Sequence, residues 1–310
     1  WGSAFTIAPW AAILVQQCLE PFTQSVGFAQ VNTAMMALVM IDVAAPPSWK
    51  GRGVASGLAA AIKLTPAIAV LIFLLRRQWR SAITMVATSL AVTLLSWVIS
   101  PGESARFFFD AMWDPQRAGD AYYTSNQNLK GFVARALPEN TWSIAWAITV
   151  ALALVAAVWL CLRIQAAATS VVTPHVISDD AAPDAVATTP AAPVLPENLA
   201  TLLTAAVIMS LGLLVSPITW SHHWVWGLAS VVALIAVALR LKSAPLAAVA
   251  LVQGALFIMA PHWWFSHGQV NELHWNVVEQ LVGSSYTLAA IASGVALAWA
   301  LLVQATARLG

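Results

Sequence analysis

The stretch RRQWRSAITMVATSLAVTLLSWVI, residues 76–99, decides the fold. Three arginines, Arg76, Arg77 and Arg80, stand just before an uncharged apolar run, Ala82–Ile99. A run of about 18 such residues is the length a helix needs to cross the hydrocarbon of a bilayer. A basic cluster at one end of such a run marks its cytoplasmic side. Working outward, comparable apolar segments fall at Phe5–Leu19, Ser25–Val43, Val54–Leu75, Trp142–Leu162, Leu199–Val215, Trp224–Leu239, Ala244–Ala260 and Tyr286–Val303. The expected fold class is therefore all-α, a polytopic transmembrane helical bundle.

Composition agrees. Of 310 residues, 60% are hydrophobic and only 9% charged, against about 25% charged in a soluble domain. The net charge of +1 comes with no basic patch to neutralise phosphates, which excludes a nucleic-acid partner. Cys18 and Cys161 both lie in apolar runs and read as small packing residues, not as a disulfide or metal framework. Because the chain opens on Trp1 inside an apolar segment, an N-terminally truncated sequence is expected.

The remaining basic residues, Lys50, Arg52, Arg163, Arg240, Lys242 and Arg308, all fall on the same side as Arg76 when crossings are counted from residue 82 onward. Val54–Leu75 resists a single crossing, since it has basic residues at both ends and carries Lys63 and Pro66 in its middle. A mid-helix proline removes a hydrogen bond, and a charge inside the membrane is costly. The segment is read as a re-entrant, broken hairpin with both ends cytoplasmic. Residues 165–198, rich in Pro, Ala, Thr and Asp, read as a disordered cytoplasmic linker. It separates the helices of residues 1–164 from those of 199–310.

This topology gathers polarity on the opposite, extracytoplasmic side. The loop 100–141, the turn Ser216–His223, the loop 261–285, and Gln24, Gln30 and Asn32 all meet there, with five of the six histidines. In SPITWSHHWVW (216–226), adjacent His222 and His223 do not suit one metal on a helix, where i, i+4 pairs are preferred. One of them facing a cavity as acid, base or phosphate partner suits the pair better; the competing reading is an aromatic belt at the lipid headgroups. In the first loop, Asp110, Asp114 and Asp120 are candidate carboxylates. Asn126, Gln127 and Asn128 are amides fit to bind sugar hydroxyls, and Lys130 and Arg135 are candidate phosphate cations. Five residues apart, Lys130 and Arg135 would not share one helix face, so their convergence requires a loop-to-helix transition near Gly131. The spacing of His262, His267, Glu272 and His274 fits no standard zinc pattern, and this loop reads as a Trp-rich interfacial helix. No metal is expected.

The segments GFAQVN (27–32), GLAAAIKLTPA (57–67) followed by LLRRQWR (74–80), YYTSNQNLKGFVAR (122–135) and SPITWSHHWVW (216–226) resemble the actinobacterial GT-C mannosyltransferases of glycosyltransferase family 87. The resemblance covers roughly residues 20–230. It implies a GT-C bundle in the plasma membrane, acting extracytoplasmically as an inverting α-(1→2) mannosyltransferase. The implied donor is polyprenyl-phosphate mannose, and the acceptor a mannosylated glycolipid such as a phosphatidylinositol mannoside or lipomannan. Neither a cofactor nor a divalent metal is implied. The catalytic Asp of such enzymes lies in the first external loop, upstream of this chain. Lys130 and Arg135 would hold the donor phosphate, with His222 or His223 as second partner or base-orienting group. Asn126, Gln127, Asn128, Gln30, Asn32 and, more weakly, Lys63 would bind substrate. Asn128 and Thr219 stand where the family often has Ser, and both keep hydrogen-bonding capacity. An arabinofuranosyltransferase using polyprenyl-phosphate arabinose is the alternative within the fold. A transporter or lipid flippase would show broken helices in two matching halves, which this sequence lacks.

Overall fold

The computed structural model describes residues 17–114, 119–169, 171–175, 187–191 and 193–306. Nearly all of the Phe5–Leu19 segment, and Arg308, lie outside the described residues. Five helical stretches are long and apolar enough to cross a membrane: Trp79–Ile99, Glu139–Ala168, Glu197–Val215, Ser221–Leu241 and Ser285–Thr306. Asn32–Ala44, Thr65–Leu75 and Ala244–Met259 are shorter and equally apolar in character. The chain is a multi-pass, all-α membrane protein.

The described helices are α1 (Glu20–Gly27), α2 (Asn32–Ala44), α3 (Val54–Ile62), α4 (Val70–Leu75), α5 (Trp79–Ile99), α6 (Pro101–Arg106), α7 (Leu129–Ala136) and α8 (Trp142–Ala168). After the linker come α9 (Glu197–Val215), α10 (Trp226–Leu241), α11 (Ala244–Met259), α12 (Val277–Gly283) and α13 (Ser285–Thr306). Of the span window of α9, 67% is buried inside the protein, against 11% for α5 and 17% for the stretch containing α8. The bundle is therefore built around α9, while α5 and α8 turn their Leu, Ile and Val side chains outward, as lipid-facing helices do. Within the segment read as linker, α8 runs on to Ala168, and β1 (Val171–His175) pairs antiparallel with β2 (Ala187–Ala191).

The broken segment positions the site. α3 stops at Lys63, whose backbone is extended; a 3₁₀ turn, Thr65–Ala69, then carries Pro66 and leads into α4. Proline at this point removes a helical donor without leaving a buried one unpaired. Gly53 starts the hairpin at φ +105°, and a Cβ there would lie 2.3 Å from the Ser81 carbonyl. Only glycine permits both the backbone conformation and this approach to α5. At the other end of the hairpin, Arg76 is paired with Glu197 at the start of α9, while Ile68, in the 3₁₀ turn, packs on Gly212 near the end of α9. The rise from Glu197 to Gly212 is about 22 Å at 1.5 Å per residue. The segment thus climbs along α9 and returns, with Arg52 lying over the Phe73 ring at 5.4 Å.

This geometry divides the charges. Arg76 meets Glu197, Arg240 donates to the Val194 carbonyl, Arg80 to the Lys50 carbonyl and Arg52 to the Asp42 carbonyl. All of these lie at the end of the bundle where α9 begins. The polar loops collect at the end where α9 stops, at Val215.

Candidate functional site

Three loops and two helix ends build the polar end. The loop 119–128 is stitched to the turn 216–221 through its amides. Asn126 donates to the Ala121 carbonyl and accepts from the Thr219 N–H, and an isolated bridge pairs Asn126 with Trp220. Gln127 donates to the carbonyls of Thr124 and Gly283 and accepts from the Tyr286 N–H. Asn128 caps α7 by accepting from the Gly131 N–H, and donates to the Ser216 carbonyl. A Cβ on Gly131 would come within 2.2 Å of the Asn126 carbonyl oxygen, so glycine is required for this turn to close. All three amides are fully buried. A buried amide is satisfied by fixed partners, and these have them within the protein; they order the site's walls.

The two cations of this loop do not converge, which corrects the expectation that a turn near Gly131 brings them together. Lys130 and Arg135 both sit on α7, and five helical residues place their side chains about 140° apart. The Lys130 ammonium lies over the Trp146 ring at 5.2 Å. Arg135 is buried, donating from Nη1 to the carbonyls of Tyr122, Tyr123 and Asn126, and from Nη2 to Ser284 Oγ at 2.9 Å. Burial lowers its pKa to about 10, with the charge of Glu272 opposing that fall. Arg135 holds loop carbonyls together, which a planar guanidinium with five donors does well.

The cation that reaches the histidines is Lys63, at the bend of the broken segment. Its Nζ donates to Asn32 Oδ1 at 2.7 Å and lies 3.4 Å from His223 Nε2. Asn32 in turn donates to the His222 carbonyl (3.1 Å) and Ser25 Oγ (3.3 Å). His222 and His223 stack edge to face at 4.5 Å, and Phe28 packs on His222 at 5.2 Å. His222 is only 7% exposed, and its Nδ1 has no hydrogen-bond partner among the described residues. Asn32, Lys63, Thr65 and His223 also line one small cavity together with Leu213 and Trp226. Gln30 lies exposed on the α1–α2 turn.

One residue that sequence reasoning passed over organises the neighbouring cluster. Glu20 opens α1 and is 8% exposed. Its Oε1 accepts from Ser221 Oγ at 2.7 Å and Trp263 Nε1 at 2.9 Å, and its Oε2 accepts from the Tyr286 hydroxyl at 2.9 Å. His262 Nε2 stands 3.6 Å from Oε1, an electrostatic contact longer than a hydrogen bond. Burial pushes the Glu20 pKa up, but His262, Ser221 and Trp263 outweigh it and leave the carboxyl below its ordinary value of 4.5. Burial in turn lowers the His262 pKa, with Glu20 opposing. The signal for Glu20 was available in the sequence: a lone carboxylate at the edge of an apolar run demands partners.

Below these loops an apolar groove of about 470 Å³ opens between α8, α9, α10 and α13. Leu129 lies at its rim, and Leu152, Ala156, Leu203, Leu234 and Ile291 line it.

The family model for glycosyltransferase family 87 matches residues 2–175. A polyprenol-phosphate-mannose-dependent alpha-(1-2)-phosphatidylinositol mannoside mannosyltransferase of Mycolicibacterium smegmatis is 32% identical over 289 residues, covering 92% of this chain and 58% of that protein. The protein of the same description from Mycobacterium tuberculosis is 30% identical, covering 91% and 60%. A polyprenol-phosphate-mannose-dependent alpha-(1-2)-phosphatidylinositol pentamannoside mannosyltransferase of Mycolicibacterium smegmatis is 30% identical over 212 residues, 67% of this chain and 43% of that protein. The chain therefore spans about three-fifths of the length of the first two relatives. No solved structure matches it.

Proposed function

This chain belongs to glycosyltransferase family 87, and from that membership we propose that it moves mannose from a polyprenyl-phosphate mannose to a phosphatidylinositol mannoside, forming an α-(1→2) linkage. The observation that carries the site assignment is the contact of Lys63 with Asn32 and His223. In the reaction an acceptor hydroxyl loses its proton to a carboxylate base, and its oxygen bonds to the anomeric carbon. The bond from that carbon to the phosphate oxygen breaks, and lipid phosphate leaves with the electron pair. Charge grows on the phosphate as it departs, and fixed donors aimed there stabilise the transition state by about 3–4 kcal/mol each. Lys63 supplies such a charge, with His223 beside it and the unpartnered Nδ1 of His222 next in line. Glu20 is not the base: both its oxygens already accept from fixed donors, and its pKa lies below the usual carboxylate range. It holds Ser221, and thereby the histidine turn, in place.

The isoprenoid tail of the donor lies in the apolar groove under Leu129. The site faces the outside of the plasma membrane, because the arginines collect at the opposite end of the bundle and basic residues stay cytoplasmic. Asn126, Gln127, Asn128 and Arg135 act from behind, as the fixed frame of the loop, and Lys130 lies apart. Gln30 stands at the open edge, within the region where an acceptor arrives. No metal or cofactor takes part.

The test uses the protein reconstituted in liposomes, with radiolabelled polyprenyl-phosphate mannose, polyprenyl-phosphate arabinose or GDP-mannose as donor and phosphatidylinositol mannosides as acceptors. Labelled glycolipid from the mannose lipid alone is expected. Transfer from the arabinose lipid but not the mannose lipid would reverse the donor assignment.

A further inference from the structure

At the polar end, four aromatic rings from three different loops meet. Tyr123 lies 5.9 Å from Trp220, 6.2 Å from Trp263 and 6.3 Å from His267, each edge to face, and Trp263 lies 5.2 Å from His267. Tyr123, Trp220 and Trp263 are half-buried and His267 is exposed. They are not loose interfacial anchors. Trp263 is tied through its indole N–H to Glu20. Thr124, next to Tyr123, donates its N–H to Glu272 and its hydroxyl to the His262 carbonyl. Gly119, at φ +78°, brings the backbone against the Trp220 ring, with 3.2 Å left for a Cβ. That turn sets Asp120, an exposed carboxylate, beside the cluster. The Trp220 indole N–H has no acceptor among the described residues. Trp113 and Trp264, by contrast, are 72% and 57% exposed, as rings that sit at a bilayer surface are.

We propose that Tyr123, Trp220, Trp263 and His267 form a platform for a pyranose ring of the acceptor's sugar headgroup, with Asp120 receiving a sugar hydroxyl at its rim. The chemistry of the ligand follows from that of the site. A hexopyranose has one face of C–H groups carrying slight positive charge, which packs on the negative face of an aromatic ring. Its edge carries hydroxyls that need acceptors such as a carboxylate and donors into which an indole N–H can be counted. The platform is rigid because its rings belong to loops already fixed from below, so little ordering is lost on binding. It adjoins the reacting centre through Trp220–Ser221–His222–His223, which places a bound sugar next to the departing phosphate. This assignment rests on the transferase reading above.

The test measures transfer from polyprenyl-phosphate mannose to two acceptors, a phosphatidylinositol mannoside and a short octyl mannoside, for wild type, Trp220→Leu, His267→Ala, Asp120→Asn and Trp264→Leu. Trp220→Leu is expected to raise the KM for both acceptors about tenfold, with donor KM unchanged. His267→Ala and Asp120→Asn should each raise it several-fold, and Trp264→Leu should leave it alone. Melting midpoints equal to that of wild type exclude unfolding, and the exposed His267 and Asp120 give that comparison even if Trp220→Leu is unstable. Weaker use of the glycolipid but not of the octyl mannoside would make the rings a lipid anchor and overturn the platform. Unchanged acceptor KM in all variants would overturn it equally. Absence of transfer by wild type would instead overturn the transferase reading itself.

Discussion

Replacing Glu20 by alanine should destabilise the polar end of the bundle far more than an ordinary surface substitution would. The carboxylate is 8% exposed and accepts three hydrogen bonds, from Ser221, Trp263 and Tyr286. Ser221 has an alternative partner in Ser125, whose hydroxyl lies at 3.2 Å. Tyr286, fully buried, and Trp263 are left with donors and no acceptor. Each such orphaned group costs about 1–3 kcal/mol, so the expected loss is about 3–5 kcal/mol, in the range of a broken buried charge pair. Glu20→Gln keeps the shape and one carbonyl acceptor and should lose about half as much. The assay is thermal unfolding of the protein in detergent, followed by tryptophan fluorescence, with the three forms in parallel. A Glu20→Ala protein as stable as wild type to within about 1 kcal/mol would refute the claim that this carboxylate ties α1, the histidine turn and α13 together.

Other consequences are as direct. Arg135→Lys should lower the melting midpoint clearly, because one ammonium cannot satisfy three carbonyls and Ser284 at once; an unchanged midpoint would mean these contacts are dispensable. Stability should fall with acid in two ways. His262 has a lowered folded pKa, so the preference for its neutral form is lost progressively as pH drops below the ordinary 6.5. Glu20, also depressed, contributes above 4.5 and loses that contribution as pH falls through its folded value. Melting curves of wild type and Glu20→Gln should therefore converge only below pH 4.5, and convergence near neutrality would contradict the sign. In a background lacking Cys18, a cysteine at Glu103 should react with an impermeant maleimide on intact cells, and one at Lys242 should not; the reverse pattern would invert the proposed orientation.

Much of the fold was legible because membrane spans announce themselves by length and apolarity, and because arginines bias one side. The oddity of Val54–Leu75 was readable from Lys63 and Pro66, and the structure gives it a physical form: two short helices about an extended lysine. The site was legible as a set of loops but not as a set of roles. Asn126, Gln127 and Asn128 look like sugar ligands in a string of letters. Whether an amide faces a ligand or its own backbone depends on which loop packs behind it, here the Ser216–Trp220 turn and Gly283. Lys130 and Arg135 attract attention by sitting next to those amides, yet helical phase sends them apart. Lys63 lies far from the histidines in sequence, and only the fold-back along α9 delivers it. Glu20 hides at the flank of an apolar run, where one carboxylate looks like the end of a span.

The most direct test of the account compares wild type with Lys63→Met, which keeps the length of the side chain and removes its charge. The quantity is kcat for release of polyprenyl phosphate at saturating donor and acceptor. A fixed charge at the leaving phosphate predicts a loss of about 100- to 1,000-fold, with the melting midpoint little changed, since only one hydrogen bond, to Asn32, is lost. A folded Lys63→Met protein that turns over within threefold of wild type would contradict the assignment of Lys63 and the histidine turn as the place where the phosphate departs.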